Sequence, residues 1–163
     1  MQGENSLKLI MEQSNVPVRA YHEIHIEASK DTVWEVLTEL NTWPLWKEVD
    51  TPKTLTGTNW EVGTCFQWKR GVFTITAEIV DIESPNRVLW NGRLMGIKAK
   101  HYWVLTKTNN GTLVETYEEW AGIIPKLLKG KSHQRLKASL ERDLEGLKRV
   151  SESLSKEKVH QER

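Results

Sequence analysis

The chain has 163 residues, which is enough for one domain with a sizeable core and leaves little room for a second. Its 23 Lys and Arg residues against 22 Asp and Glu residues give a net charge of +1, which argues against a nucleic-acid binder held by bulk charge. The single cysteine, Cys65, excludes an internal disulfide framework and a cysteine-based zinc cluster.

The first 16 residues are mostly polar and predict a loose extension with at most a short helical turn. They lack the apolar core of a signal peptide. No apolar run in the chain approaches the roughly 18 residues of a membrane span. We therefore expect a cytoplasmic protein without stable membrane insertion.

The next segment reads as a strand followed by two helices. Residues 18–27 alternate between apolar and polar side chains, which is typical of a half-buried strand. Ser29 is a suitable N-cap for a helix, because its hydroxyl can accept from a free N–H of the first turn. The segment 41–46 carries a proline and two tryptophans and predicts a second, very short helix. The apolar stripe of the first helix consists of Val33, Val36, Leu37 and Leu40.

Residues 54–122 consist of strands and turns without a helical period of useful length. A change of phase after Ile79 predicts a β-bulge. The Asn-Asn-Gly segment at 109–111 is the strongest hairpin signal in the chain. The two strands that it joins have His101 and Glu118 among their inward positions.

The C-terminal segment has the pattern of one long amphipathic helix over about 132–154, with leucines recurring near a 3.6-residue period. The order of elements predicts an α+β fold in which a twisted antiparallel sheet carries this helix across its face. We expect a single domain over 17–155, an N-terminal extension over 1–16 and a frayed tail over 156–163.

Five segments carry a recognisable pattern: HIEASKDTVWEVLTELNTWPLW at 25–46, GTCFQWKR at 63–70, ESPNRVLWNGR at 83–93, KAKHYWVL at 98–105 and GTLVETYEEWAG at 111–122. They resemble the START-like, helix-grip superfamily (SRPBCC), and especially its polyketide cyclase/dehydrase-type members, over about residues 18–154. The resemblance implies a strongly curved sheet that grips the C-terminal helix, with a cavity between them. It specifies fold rather than chemistry, because the superfamily includes lipid-transfer domains, hormone receptors, allergens and aromatase/cyclases.

Tryptophan is the unusual feature of the composition, with eight Trp against two Phe and three Tyr. These rings can form core, and they can also line a cavity for a flat or greasy ligand. We expect Trp43 and Trp46, together with the segment 123–130, to form a gate at the cavity mouth. The candidate ligand-binding residues are Trp43, Trp46, Phe66, Trp68, Ile75, Trp90, His101, Trp103, Glu118, Trp120, Ile124, Leu128, Leu136 and Leu140.

His101 and Glu118 are the sharpest chemical candidates. An inward carboxylate must find a partner or take up a proton, because an unpaired buried charge is costly. A protonated His101 is a suitable partner. Two interpretations stay open: a hydrogen-bonded pair that fixes register or one end of a ligand, and a general acid/base pair.

The remaining candidate residues give weaker indications of function. His22 and His25 lie on opposite sides of a strand, so we expect no metal site. No nucleotide, flavin or phosphate motif is present, so we expect no cofactor. Cys65 has no base beside it in the sequence and is interpreted as structural. The basic run over 126–137 is either a solvated surface or a rim that attracts a carboxylate-bearing ligand or an anionic membrane in transient contact.

Our leading functional hypothesis is the binding and carrying of a hydrophobic or aromatic small molecule, such as a lipid, isoprenoid or polyketide-like compound, in the internal cavity. The alternative is an aromatase/cyclase- or dehydratase-type enzyme that uses His101 and Glu118 as acid and base. A second alternative is a protein-interaction module. We expect a monomer or a homodimer that does not bind nucleic acid.

Overall fold

The computed structural model describes residues 6–57 and 59–161. In this part of the chain, seven strands form one antiparallel sheet in the order β1-β7-β6-β5-β4-β3-β2. The strands are β1 (Val18–Ile26), β2 (Asp50–Thr54), β3 (Cys65–Arg70), β4 (Phe73–Glu83), β5 (Arg87–Leu94), β6 (Ile97–Thr108) and β7 (Gly111–Ala121). The helices are α1 (Ser6–Gln13), α2 (Lys30–Thr38), α3 (Trp43–Trp46), α4 (Ile123–Leu127) and α5 (Lys129–Gln161), with a 3₁₀ turn at Leu40–Thr42 before α3.

One face of the sheet, called the inner face from here on, packs against α5. Leu144 and Leu147 of this helix join the main hydrophobic core, while Leu136 and Leu140 form a second cluster with Val18. The predicted α+β architecture, an antiparallel sheet that grips a long C-terminal helix, is therefore confirmed.

Local signals in the sequence account for several boundaries. The Ser29 hydroxyl caps α2 by accepting from the backbone N–H of Thr32 at 3.2 Å. The predicted bulge in β4 is present as a register shift between Ile79 and Asp81. The hairpin between β6 and β7 is also present, and its register sets His101 directly opposite Glu118.

The two ends of the chain differ from the sequence-based expectation. The predicted loose extension contains the eight-residue helix α1. Leu7 of this helix is buried, and Lys8 lies 3.7 Å from Glu23 on the outer face of β1. Helix α5 runs past the predicted limit as far as residue 161, because Leu154 still packs on the core and Lys158 pairs with Glu35. The rest of the expected extension and tail, residues 1–5 and 162–163, lies outside the described residues.

Trp43 organises the aromatic core between α3 and the sheet. Its side chain is fully buried, and its indole N–H donates to the carbonyl of Leu37 at 2.9 Å. Aromatic rings packed around an indole in tilted and edge-on geometries hold it firmly. Ring centroids at 5.3–6.4 Å from that of Trp43 belong to Trp46, Trp60, Phe66, Trp68 and Trp90.

Helix α5 crosses α3 at Gly146, where the absence of a side chain permits close contact. A Cβ atom added at Gly146 would lie 2.0 Å from the carbonyl oxygen of Trp46. We expect Gly146→Ala to force the helices apart and to lower the free energy of unfolding by about 1–3 kcal/mol, measured by urea denaturation. Gly130→Ala in the same helix is the control, because nothing lies within 4 Å of its added Cβ and alanine favours helix. Equal effects of the two variants would contradict this account of the crossing.

Candidate functional site

A pocket of about 150 Å³ lies between the inner face of the sheet and α5. Exposed Arg70 and Arg93 line its solvent side. Its apolar walls are formed by side chains from β3 to β7: Trp68, Ile75, Trp90, Ile97, Ala99 and Trp120. Its polar groups come from the sheet, α5 and the segment after α3: Lys47, Glu48, His101, Glu118, Ser139 and Asp143.

The width of the pocket comes from two small residues that face each other. Gly92 of β5 pairs with Ala99 of β6, and both line the pocket. A Cβ atom added at Gly92 would lie 3.6 Å from the Ala99 Cβ. Larger side chains at these two positions would occupy the space that is now empty.

Six of the predicted ligand-binding residues are brought together in this pocket: Trp68, Ile75, Trp90, His101, Glu118 and Trp120. The alternation of inward and outward side chains along the strands located them. Trp90 lies centrally among them, with its ring centroid 5.1 Å from that of His101.

The other eight predicted residues do not line the pocket. Trp43, Trp46, Phe66 and Trp103 are buried in the aromatic core beside it, and Leu136 and Leu140 pack against β1. The expected gate at Trp43 and Trp46 is therefore wrong, because both side chains are fixed in the core. Ile124 and Leu128, which were also expected near the mouth, are exposed at α4 and just after it.

His101 and Glu118 form the polar end of the pocket. The His101 Nδ1 atom lies 3.4 Å from Glu118 Oε2, and the two side chains are 4% and 17% exposed. The other carboxylate oxygen, Glu118 Oε1, accepts from the indole N–H of Trp120 at 2.8 Å. The predicted proximity of the pair is therefore confirmed.

A buried threonine determines the tautomer of His101. The Thr116 hydroxyl has one proton, which it donates to the carbonyl of Tyr102 at 3.0 Å. The same oxygen must therefore accept from His101 Nε2, which lies 2.8 Å away. In neutral His101 the lone pair then resides on Nδ1, the ring nitrogen that lies 3.4 Å from Glu118 Oε2.

The environment of this pair favours the neutral form of both groups. Burial, together with the charge of Lys47, holds the pKa of His101 well below its usual value. Burial also raises the pKa of Glu118 to about 7, although the Trp120 hydrogen bond and Lys47 act in the opposite direction. Of the two possibilities that the sequence left open, a protonated Glu118 beside a neutral His101 is therefore favoured over an ion pair between them.

A buried ion pair also lines the pocket. Lys47 Nζ is 2.7 Å from Asp143 Oδ2, and both side chains are nearly buried. The same ammonium group lies 5.3–5.9 Å from the ring centroids of Trp43, Trp46 and Trp68. Lys47 therefore links α3, α5 and the pocket wall.

A basic groove continues from the pocket along α5. Arg70 and Trp120 line both, and the groove adds Lys131, Arg135 and Arg142. Arg70 donates to Glu48 Oε2 at 3.1 Å and to the Ser139 hydroxyl at 3.3 Å.

Sequence reasoning missed Lys47, Asp143 and Thr116. Asp143 was the detectable one, since it falls within the otherwise apolar stripe of the long helix, three residues after Leu140. Lys47 had no comparable signal, because its position depends on how the short helix before it packs. Thr116 lies on the predicted inward face, but its role depends on the Tyr102 carbonyl of the neighbouring strand.

The described residues contain neither a cluster suited to a metal ion nor a helix suited to crossing a membrane. Within 6–57 and 59–161, no three His, Cys, Asp or Glu side chains group closely enough to hold a metal ion. Over the same two ranges, no helix combines the length and apolar character that a membrane crossing requires. Cys65 is a half-buried free thiol whose Sγ lies 3.7 Å from the carbonyl of Gly63.

The raised pKa of Glu118 makes the stability of the protein depend on pH. The Glu118 carboxyl group has a pKa of about 7 in the folded protein and an ordinary pKa of 4.5. Between these two pH values the folded state binds more protons than the unfolded state, so the free energy of unfolding falls as pH rises. Glu118→Gln preserves the shape but does not ionise. We compare the free energy of unfolding of the variant with that of the parent at each pH. The variant minus parent difference should rise by about 2–3 kcal/mol from acidic to mildly alkaline pH.

Urea denaturation of both proteins across this pH range measures the difference. Glu78→Gln, at an exposed position of β4, is the control for loss of one carboxylate. A difference between parent and Glu118→Gln that stays constant with pH would show that Glu118 is not held in its protonated form.

Comparison with solved structures finds the same fold in bacterial proteins of low sequence identity. A hypothetical protein of Helicobacter pylori matches with a TM-score of 0.76 at 18% identity, over 85% of this chain and 90% of that chain. XoxI of Bacillus cereus matches with a TM-score of 0.69 at 12% identity, over 84% and 97%. A START superfamily protein of Mycobacterium smegmatis matches with a TM-score of 0.66 at 13% identity, over 83% and 98%.

At these identities the structural likeness shows the fold alone. No curated protein sequence matches the chain. A family model described as polyketide cyclase / dehydrase and lipid transport matches residues 17–152, a span that contains the whole sheet and every pocket-lining residue. The resemblance noted in the sequence is thus confirmed, and the chain belongs to the polyketide cyclase / dehydrase and lipid transport family, with the helix-grip fold of the START-like proteins.

Proposed function

We propose that this protein binds and carries a compact aromatic or otherwise hydrophobic molecule in the pocket between the sheet and α5. The observation that carries the proposal is a pocket with three tryptophan walls, Trp68, Trp90 and Trp120, and a hydrogen-bonding end at His101 and Glu118. Ligand pockets of this composition use apolar walls for affinity and a few polar groups for orientation.

The size of the pocket narrows the ligand class. Its volume of about 150 Å³ is below the typical range of roughly 300–1,000 Å³ for drug-sized ligands. An apolar cavity of about 150 Å³ is known to hold a molecule the size of benzene. Of the hydrophobic molecules expected from the sequence, a ligand of one or two rings fits better than an extended lipid.

The polar end favours a ligand with a hydroxyl or carbonyl group. Protonated Glu118 can donate to a carbonyl oxygen, and in its ionised form it can accept from a hydroxyl. The Lys47–Asp143 pair satisfies its own charges, so it does not require a charged ligand. A phenol-like or cyclic ketone-like molecule meets both conditions.

Native mass spectrometry of freshly purified protein is the direct test. We expect a mass excess that disappears when the same sample is denatured, and the released mass identifies the ligand class. A parent protein that shows no bound mass and also fails to bind small aromatic alcohols would contradict the proposal.

Filling the pocket from its wall tests the location of the site. Ala99→Leu adds three carbon atoms opposite Gly92, and we expect it to reduce the affinity for the probe 2-naphthol at least tenfold in calorimetry. Lys98→Leu is the matched control, because it adds the same side chain at the exposed neighbouring position. Equal affinity of both variants for 2-naphthol would place the binding site elsewhere.

A specific observation also supports the enzymatic alternative, an aromatase/cyclase- or dehydratase-type reaction. The pKa of Glu118 near 7 matches that of a general acid/base, and the unprotonated Nδ1 of His101 lies 3.4 Å from its carboxylate oxygen Oε2. A proton can thus pass between the two groups and a bound carbonyl or hydroxyl. The interaction-module alternative has less support, because a pocket is present.

The masses of co-purified ligands distinguish carrier from dehydratase. If Glu118 acts in a dehydration, the Glu118→Gln variant should retain a molecule heavier by one water than the molecule retained by the parent. Identical released masses from the two proteins would favour the carrier, and Glu78→Gln provides a control that removes one exposed carboxylate outside the pocket.

A further inference from the structure

Several segments that are distant in sequence lie together at one end of the sheet. The antiparallel order places the β3–β4 turn at 71–72, the β5–β6 turn at 95–96 and the end of β7 at the same end. Helix α4 begins there, close against the β5–β6 turn, since a Cβ added at Gly122 would lie 2.5 Å from the carbonyl oxygen of Gly96. We call this end the mouth surface, because Arg70 and Arg93 of the pocket mouth lie at the same strand ends.

The mouth surface exposes an unusual amount of apolar side chain. The four most exposed large hydrophobic residues in the described part of the chain all lie there. They are Val72 at 91%, Ile123 at 76%, Leu127 at 76% and Met95 at 70%. Isolated apolar side chains on a surface are normal, but a concentration of them on adjacent turns marks an interaction site.

The same segments are strongly basic. Three stretches at this end contain Lys and Arg but no Asp or Glu. There are two such cations in 69–73, three in 93–100 and five in 121–140. The whole chain has a net charge of only +1, so positive charge is concentrated at this end. Acidic residues from neighbouring elements pair with part of it, because Glu119 lies 3.9 Å from Lys100 and Glu48 binds Arg70.

From this juxtaposition we propose that the mouth surface docks on membranes that contain anionic lipids. Exposed apolar side chains flanked by lysines are the pattern of segments that lie in the lipid interface, with cations at the headgroups and apolar groups below them. An acidic protein partner would account for the charge. It would not require the four apolar residues to be placed on turns and on a five-residue helix around the pocket mouth.

Docking in this orientation turns the pocket mouth toward the bilayer, where hydrophobic molecules partition. The proposal nevertheless stands apart from the proposed ligand, because vesicle binding needs no ligand in the pocket. If the vesicle experiment fails, the proposed ligand binding is still tested by mass spectrometry, and the reverse also holds.

Cosedimentation with vesicles tests the proposal. We expect the parent protein to bind vesicles of phosphatidylcholine with about a quarter phosphatidylglycerol, and to bind pure phosphatidylcholine at least tenfold more weakly. Ile123→Ser combined with Leu127→Ser should weaken binding to the mixed vesicles at least tenfold. Both side chains are mostly exposed, so the variant is expected to fold normally, and circular dichroism checks this.

The matched apolar control is Leu45→Ser combined with Val62→Ser, which removes two exposed apolar side chains outside the mouth surface. The charge variant replaces Lys126, Lys129 and Lys131 by Gln and should also lose binding at least tenfold. Its control replaces the exposed lysines Lys53, Lys107 and Lys156 and alters net charge equally.

Two outcomes would overturn the proposal. The first is that the parent protein does not bind the mixed vesicles, or that the mouth-surface variants bind them as tightly as their matched controls do. The second is binding to soluble polyglutamate as tight as to vesicles and unaffected by the Ile123 and Leu127 substitutions. That result would assign the mouth surface to an acidic protein partner.

Discussion

The burial of Trp43 is the constraint on which the rest of the structure depends. Its ring fills one end of the space between the sheet and α5, and five further aromatic rings pack around it. This brings the backbone of Trp46 against Gly146, so α5 must cross α3 at that point. The chain then leaves α3 at Lys47, directly beside the pocket. The aromatic core, the helix crossing and the position of Lys47 beside the pocket therefore depend on one buried ring.

The electrostatics of the pocket follow from the same packing. Lys47 and Asp143 satisfy each other at 2.7 Å, while burial keeps His101 neutral at pH 7 and raises the pKa of Glu118 to about 7. Such an interior accepts a neutral ligand without a large desolvation penalty, because its fixed charges are already paired. Glu118 is the pocket group that gains or loses a proton near neutral pH. The arrangement is compatible with ligand transport and with catalysis. The mass of the bound molecule distinguishes these two functions, whereas the fold does not.

Much of the fold was predictable because it depends on local patterns. Alternation located the inward residues, and the Asn-Gly turn fixed the register that joins His101 to Glu118. Alternation reports which face a side chain occupies, but it does not report the position along that face. It therefore could not separate Trp68 and Trp90, which line the pocket, from Trp103, which is buried in the core. Lys47 and Asp143 meet only through tertiary packing, so no local pattern predicts their contact.

The facing pair of Gly92 and Ala99 has a consequence for how such a pocket can diversify. These two positions leave the space between the tryptophan walls empty, and their neighbours Asn91 and Lys100 are exposed. Changes of one or two methyl groups at this pair would resize the chamber while the aromatic scaffold and the acid–imidazole end stay as they are. Ligand selectivity can thus be adjusted in small volume increments at two sites in the wall, and the architecture that holds the ligand is preserved.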